Sequence, residues 1–307
     1  MKENQYQHFI PKFLLRNISE NGIHIYKFKN SKYELCEIDK TGGEDLLYGS
    51  FNCSLEQFFN KLETVVAQAI RKHERLSPIE EKYMKFFIQA MAYRSPSKNQ
   101  TFSEEYNDFI KSNNMPKNEF IVYLEKKKKE FEMWLESFEK DYETIKFSNR
   151  HQKPLDDSDN KKFFPLLFKG LINIFPRIDK CFDIHIFESE SDLDLILGET
   201  PTVSENFTPF GNMQKEKEID LLHRNVMHWL PVAHNKVVFM YTKNKNIIAQ
   251  KDRKLRKQDV NILNFCQNKK NSFFYSRRPN IDIPDLPANF SWTQHFNYIF
   301  GYKSVFK

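Results

Sequence analysis

Near the start of the chain, an amide, an imidazole and a guanidinium fall within ten residues: Gln7, His8 and Arg16 in the run Gln7-His8-Phe9-Ile10-Pro11-Lys12-Phe13-Leu14-Leu15-Arg16. Imidazole titrates close to neutral pH and can give or take a proton, and guanidinium offers a planar fork that fits phosphate or carboxylate. Glu63, Arg94 and Glu199 lie further along. Two carboxylates with an imidazole can hold a divalent cation such as Mg²⁺ or Mn²⁺ or divide acid and base roles, while arginines neutralise a transferring phosphate. If the fold gathers His8, Glu63, Arg94 and Glu199 around one pocket, the set predicts a phosphodiester hydrolase acting on RNA or DNA. His8 would be the base or a metal ligand, and Glu63 and Glu199 would orient metal or water. Arg16, Arg94 and Gln7 would face the substrate. The competing reading is an internal network in which Arg16 and Arg94 pair with Glu63 and nothing turns over.

A second constellation is electrostatic. Between Lys251 and Arg278 nine basic side chains stand against Asp252 and Asp259, an excess larger than the net charge of the whole chain, +6. Phe265, Phe273, Phe274 and Tyr275 are interleaved with it, and cations mixed with flat rings suit single-stranded nucleic acid. A non-catalytic module for nucleic acid or a protein partner is therefore the alternative function, using Arg253, Lys254, Arg256 and Lys257, with Asn264 beside them. A small-molecule enzyme using the first pocket is a third reading. The acidic alternation Glu188, Glu190, Asp192, Asp194 reads as a solvated hairpin face, because a calcium loop needs a glycine bend that is missing here. His223, His228 and His234, five and six apart and followed or interrupted by Pro231, read as a solvated loop and not as a zinc site.

Positioning these groups requires a folded chain. With 307 residues, 40% hydrophobic content and 30 Phe, the chain has ample apolar surface to bury, which excludes a disordered class; eight Gly and 13 Pro exclude a collagen-like or low-complexity one. Cys36, Cys53, Cys181 and Cys266 are far apart and read as buried free thiols. The start MKENQYQHFI has no basic cap and apolar stretch, and no window approaches the roughly 20 apolar residues of a membrane span. The expectation is a cytoplasmic protein away from membranes.

The expected order is α+β: an N-terminal β-hairpin or meander, a helical middle, then mixed strands with a closing helix. Ile23, Ile25 and Phe28 alternate after Asn21-Gly22, as in strands joined by tight turns. The period then becomes helical from Leu55 to Ile70, with a capping box at Ser54 and Gln57. A second helix follows Ser77-Pro78, capped by Glu80 and ending near Arg94 before Ser95-Pro96. A longer helix is expected from Asn118 to about Lys146, a polar loop or internal boundary over 148–162, and a short helix from Phe163 to Phe175. Strands are expected at Phe182 to Ile186, Leu193 to Leu197 and Val237 to Tyr241, with a late helix from Asp259 to Lys270. One domain over 1–307 is expected.

Taken in order, these landmarks carry a resemblance. Gln7-His8-Phe9-Ile10-Pro11 with Leu15-Arg16 and the following hairpin, Glu63 on the first long helix, Arg94-Ser95-Pro96, the Leu197-Gly198-Glu199-Thr200-Pro201 turn, Leu230-Pro231-Val232, Leu263-Asn264 and Tyr275 resemble the family catalogued as domain of unknown function 4238. The likeness covers roughly residues 5 to 280. It departs at Glu199-Thr200, where the family has Asp-Asn. The resemblance implies fold boundaries and brings no activity with it.

Overall fold

The computed structural model describes residues 6–45, 54–72, 76–94, 178–206, 226–243, 254–286 and 290. The helices expected at 118–146 and 163–175, the loop at 148–162, Cys53, His223 and Arg253 lie outside the described residues.

The chain opens with β1 (Tyr6–His8) and, after Pro11, a short helix α1 (Lys12–Ile18) that buries Leu14, Leu15 and Ile18. This helix departs from the expectation of strands throughout the opening. Its buried positions are one, three and four apart, which is helical spacing, but seven residues are too few to make that period plain. Strands β2 (His24–Lys29) and β3 (Lys32–Glu37) then form the expected hairpin. Its turn is Asn30-Ser31, both at positive φ, the backbone that matches strand twist in a two-residue hairpin. Asn21-Gly22 instead turns the chain from α1 into β2, with Asn21 Oδ1 accepting from the Ile23 and His24 amides. After a 3₁₀ turn at Ile38–Lys40, β4 (Gly43–Asp45) pairs antiparallel with β1. A side chain at Gly43 would collide with the Gln7 carbonyl and the Tyr6 ring, so this pairing needs glycine there.

Two helices follow, α2 (Ser54–Arg71) and α3 (Pro78–Tyr93). The predicted capping box of α3 is present: Ser77 Oγ accepts from the Glu80 amide, and the Glu80 carboxylate accepts from the Ser77 amide. Phe59, Leu62, Val65, Val66 and Ala69 of α2 bury their side chains with Met84, Phe86, Phe87 and Met91 of α3 in the larger core cluster.

The C-terminal part supplies one four-stranded sheet and half of another. Strand β5 (Phe182–Glu188) pairs with β9 (Lys236–Thr242), β9 with β8 (Val226–Ala233), and β8 with β7 (Val203–Asn206), all antiparallel. Strand β10 (Phe273–Ser276) joins β2 on one side and the two-residue β6 (Leu197–Gly198) on the other, so the end of the chain completes the sheet begun by its start. Of the expected strand at Leu193 to Leu197, only the end is a strand. The expected solvated loop around His228 is corrected too: that residue lies on β8, which accommodates Pro231 by a register shift between Pro231 and Ala233, the kind of irregularity at which a sheet tolerates proline.

Helix α4 (Lys257–Lys270) closes the fold. Alternation along the strands makes three layers, because successive side chains point to opposite faces. Leu230, Val232, Val238 and Met240 join the α2/α3 core, while Trp229, Val237, Phe239 and Tyr241 join Val260, Leu263 and Cys266 of α4. The molecule is thus α+β. Cys266 is buried as expected, whereas Cys36 and Cys181 are half-buried. Among the described residues no helix is long and apolar enough to cross a membrane.

Candidate functional site

Three of the four residues proposed as catalytic meet. Arg94, at the end of α3, donates from Nη1 to Glu63 Oε1 on α2 at 2.6 Å and from Nη2 to the backbone carbonyl of His8 at 2.7 Å. Its guanidinium carbon also lies 4.2 Å from the centre of the Phe59 ring. With its side chain 3% exposed and Glu63 18% exposed, the pair is largely withdrawn from water. Removing two charges from solvent is costly unless good geometry and further hydrogen bonds offset it. Here the further bond goes to the main chain of His8, so the pair fixes the strand that carries the imidazole. Arg94 is therefore a positioning residue and not the phosphate clamp expected from sequence.

The imidazole of His8 lies on the half-buried face of β1. Nε2 is 3.2 Å from the Ile38 carbonyl. A carbonyl only accepts, so Nε2 carries the hydrogen and Nδ1 is the basic nitrogen. Burial pushes the pKa of His8 down to about 4, opposed by the Ile38 bond and by Asp39 and reinforced by Lys12 and Arg94. The ring is neutral at physiological pH. Tyr6, two residues back on the same face, meets it edge-on with ring centres 5.1 Å apart. The Tyr6 hydroxyl accepts from the Gly43 amide at 3.0 Å, and burial raises its pKa, so it keeps its proton. Gln7 points the other way, into the interior, which corrects its expected role on the substrate.

Arg16 does not join the buried network. It stands one turn after Lys12 on the outer face of α1, 53% exposed, with Nη2 3.8 Å from Asp39 Oδ1, and Lys12 Nζ reaches the same oxygen at 2.7 Å. Lys12 holds the Asp39 carboxyl below its usual range. The solvent-facing set is thus Tyr6, His8, Lys12, Arg16 and Asp39, with Glu63 and Arg94 behind it. Sequence reasoning missed Tyr6, Lys12 and Asp39. The two-residue step from Tyr6 to His8 and the four-residue step from Lys12 to Arg16 were the available signals.

Glu199 belongs elsewhere. Its carboxylate accepts from Ser272 Oγ at 2.5 Å, and its amide donates to the Phe273 carbonyl, holding the 194–201 segment beside β10. Among the described residues no three His, Cys, Asp or Glu side chains gather in a manner that could hold a metal ion, so the expected Glu63–Glu199 pair is not a ligand set.

Asn264 is also a structural residue. On α4 it donates to the Asp194 carbonyl at 2.8 Å and accepts from the Ile196 amide at 3.0 Å. One turn on, Gln267 accepts from the Gly198 amide and donates to the Pro201 carbonyl, and Asn271 accepts from the Thr200 amide. A spacing of three puts Asn264 and Gln267 on one face of α4, Asn271 follows at its C-cap, and the three carboxamides bind the backbone of the 194–201 segment as a strand would. Gly198 passes so close that a Cβ would overlap the Asn271 and Gln267 side chains.

The basic region is partly neutralised from within. Arg277 and Arg278 both reach Asp194, at 3.6 and 3.5 Å, and Arg277 also reaches Glu20. Asp194, 7% exposed, is therefore no part of a solvated face. Phe274 and Tyr275 are core residues and cannot stack on a base. Lys254, Arg256, Lys257 and Lys269 remain exposed, with Lys269 Nζ 5.7 Å from the Phe265 ring centre.

Residues 6–277 match the family model described as a protein of unknown function, DUF4238. The chain belongs to the DUF4238 family. The match begins at the strand carrying Tyr6 and His8 and ends just past β10, so it encloses both the candidate site and the carboxamide face of α4. No curated protein and no solved structure matches this DUF4238 chain.

Proposed function

We propose that this DUF4238 protein is a phosphodiester hydrolase acting on nucleic acid, with His8 as the proton-accepting group and Lys12 and Arg16 as the cations that meet the phosphate. The observation that carries the reading is the state of His8. It is a neutral imidazole of fixed tautomer on a strand anchored by a buried Arg94–Glu63 pair, close to Lys12, with the exposed Arg16 one turn further along α1. Proton transfer by a positioned side chain contributes about 10²–10⁴-fold to a rate. Glu63 and Arg94 position the base, and Glu199 has no part in the reaction.

The test incubates purified protein with end-labelled RNA and DNA, with Mg²⁺, with Mn²⁺ and with a chelator. Cleavage should fall by at least about 10²-fold in His8→Ala, while thermal unfolding moves by only the few degrees expected for one lost hydrogen bond. No cleavage under any condition, or cleavage indifferent to His8, overturns the proposal.

The exposure of Lys254, Lys257 and Lys269 favours a second reading, a nucleic-acid-binding module without turnover. It expects a salt-dependent gel shift that is lost on neutralising Lys254 and Lys257 and unaffected at His8.

A further inference from the structure

We infer that Asn21 is a site of spontaneous covalent modification, at which the turn between α1 and β2 promotes attack of the Gly22 nitrogen on the Asn21 carboxamide. Nothing in it depends on the hydrolase reading. Asn21-Gly22 is the only Asn-Gly pair in the sequence, and glycine, lacking a side chain, obstructs such an attack least. Gly22 has a φ of 71°, and nothing lies within 4 Å of where its Cβ would stand. Asn21 is exposed. Its Oδ1 accepts from the Ile23 amide at 2.9 Å and from the His24 amide at 2.8 Å, which curls the side chain back alongside the Gly22 peptide. Two N–H donors on a carbonyl oxygen stabilise the charge that develops there when a nucleophile adds to its carbon. The Gly22 N–H donates to Ser19 Oγ at 3.0 Å, and the Ser19 hydroxyl donates in turn to the His24 carbonyl. Ser19 Oγ also lies 3.3 Å from Asn21 Oδ1. Among the described residues every hydrogen bond of the Asn21 side chain therefore ends on its oxygen, and none holds the nitrogen that must leave.

In the first step the Gly22 nitrogen loses its proton to solvent and forms a bond to Asn21 Cγ. The bond from Cγ to Nδ2 breaks, and Nδ2 takes a proton from solvent and departs as ammonia, leaving a cyclic imide. Water then opens the imide. Breaking the bond from the Gly22 nitrogen to Cγ gives aspartate, and breaking its bond to the Asn21 main-chain carbonyl carbon gives isoaspartate. The net change consumes water, releases ammonia and adds one negative charge beside Glu20, with no oxidation or reduction. An aspartate keeps an acceptor for the Ile23 and His24 amides, so the turn accommodates that product.

The experiment incubates the full chain at neutral pH, folded and unfolded in urea, and follows Asn21 by peptide mass, separating aspartate from isoaspartate by chromatography. The neighbours in sequence are the same in both states, so a difference in rate belongs to the turn. Conversion should be at least about 10-fold faster in the folded chain than in urea. Ser19→Ala, with its fold checked by circular dichroism, should lose part of that excess while its rate in urea stays at the parent value. Conversion in the folded parent that is no faster than in urea overturns the inference, and that comparison needs no variant. A folded-state rate indifferent to Ser19→Ala overturns it as well.

Discussion

Mild acid should destabilise this fold through two histidines. Burial pushes His8 and His228 from 6.5 down to about 4. His8 is faced by Lys12, Asp39 and Arg94, and His228 Nδ1 lies 2.6 Å from Ser204 Oγ across the β7–β8 pair, with the Phe182 ring nearby. A folded-state pKa below the unfolded one means that the unfolded chain binds more protons between the two values. The contribution is thus whole above pH 6.5 and is lost as pH falls toward 4. Each histidine removes about 2 kcal/mol at pH 5 and about 3 kcal/mol by pH 4. Carboxylates with ordinary values of 3.8 and 4.5 titrate mainly below pH 5, so the interval from 7 to 5 isolates the imidazoles. Urea denaturation at both pH values should show the parent losing about 4 kcal/mol from these two groups, with His8→Gln and His228→Gln each removing about half of that dependence and the double variant removing most of it. Single variants that keep the parent's full pH dependence would refute the reasoning.

Glu63→Ala should cost about 3–5 kcal/mol by stranding a buried guanidinium, whereas Glu63→Met combined with Arg94→Met should cost clearly less than the sum of the two single changes; a denaturant double-mutant cycle measures this. Gly198→Ala should cost about 1–3 kcal/mol through overpacking against Asn271 and Gln267, and adding Asn271→Ala should recover part of the loss in the same assay.

Long or strongly signalled elements were legible in the sequence. α2 showed a helical apolar period from Leu55 to Ile70, and α3 announced its start through Ser77, Pro78 and Glu80. β5 and β9 were read from apolar residues with flanking polar turns. The failures have local causes. α1 is too short for periodicity to be distinct. β8 was hidden by Pro231, which reads as a breaker until the register shift shows how the ladder avoids needing its missing amide. β10 is only four residues, and its Phe274 and Tyr275 looked like rings available to a ligand because nothing local reveals that β2 and β6 enclose them.

At the site, the meeting of His8, Glu63 and Arg94 was anticipated, but the division of labour was not. Sequence gives residue types, and burial decides whether a guanidinium grips a phosphate or a carbonyl. Arg94 and Arg16 are alike in sequence and opposite in exposure. Asn264 and Glu199 looked chemical because amides and carboxylates near turns often are, yet Asn264 holds main chain in place and Glu199 accepts from the Ser272 hydroxyl.

The carboxamide face of α4 has a consequence for how the molecule comes apart. Amides neither titrate near neutrality nor feel ionic strength, so the grip of Asn264, Gln267 and Asn271 on residues 194–201 persists as protons accumulate. Acidification therefore loosens the molecule unevenly, first at the opening strand and at the Ser204–His228 rung, while the closing helix keeps its hold on the segment it clasps.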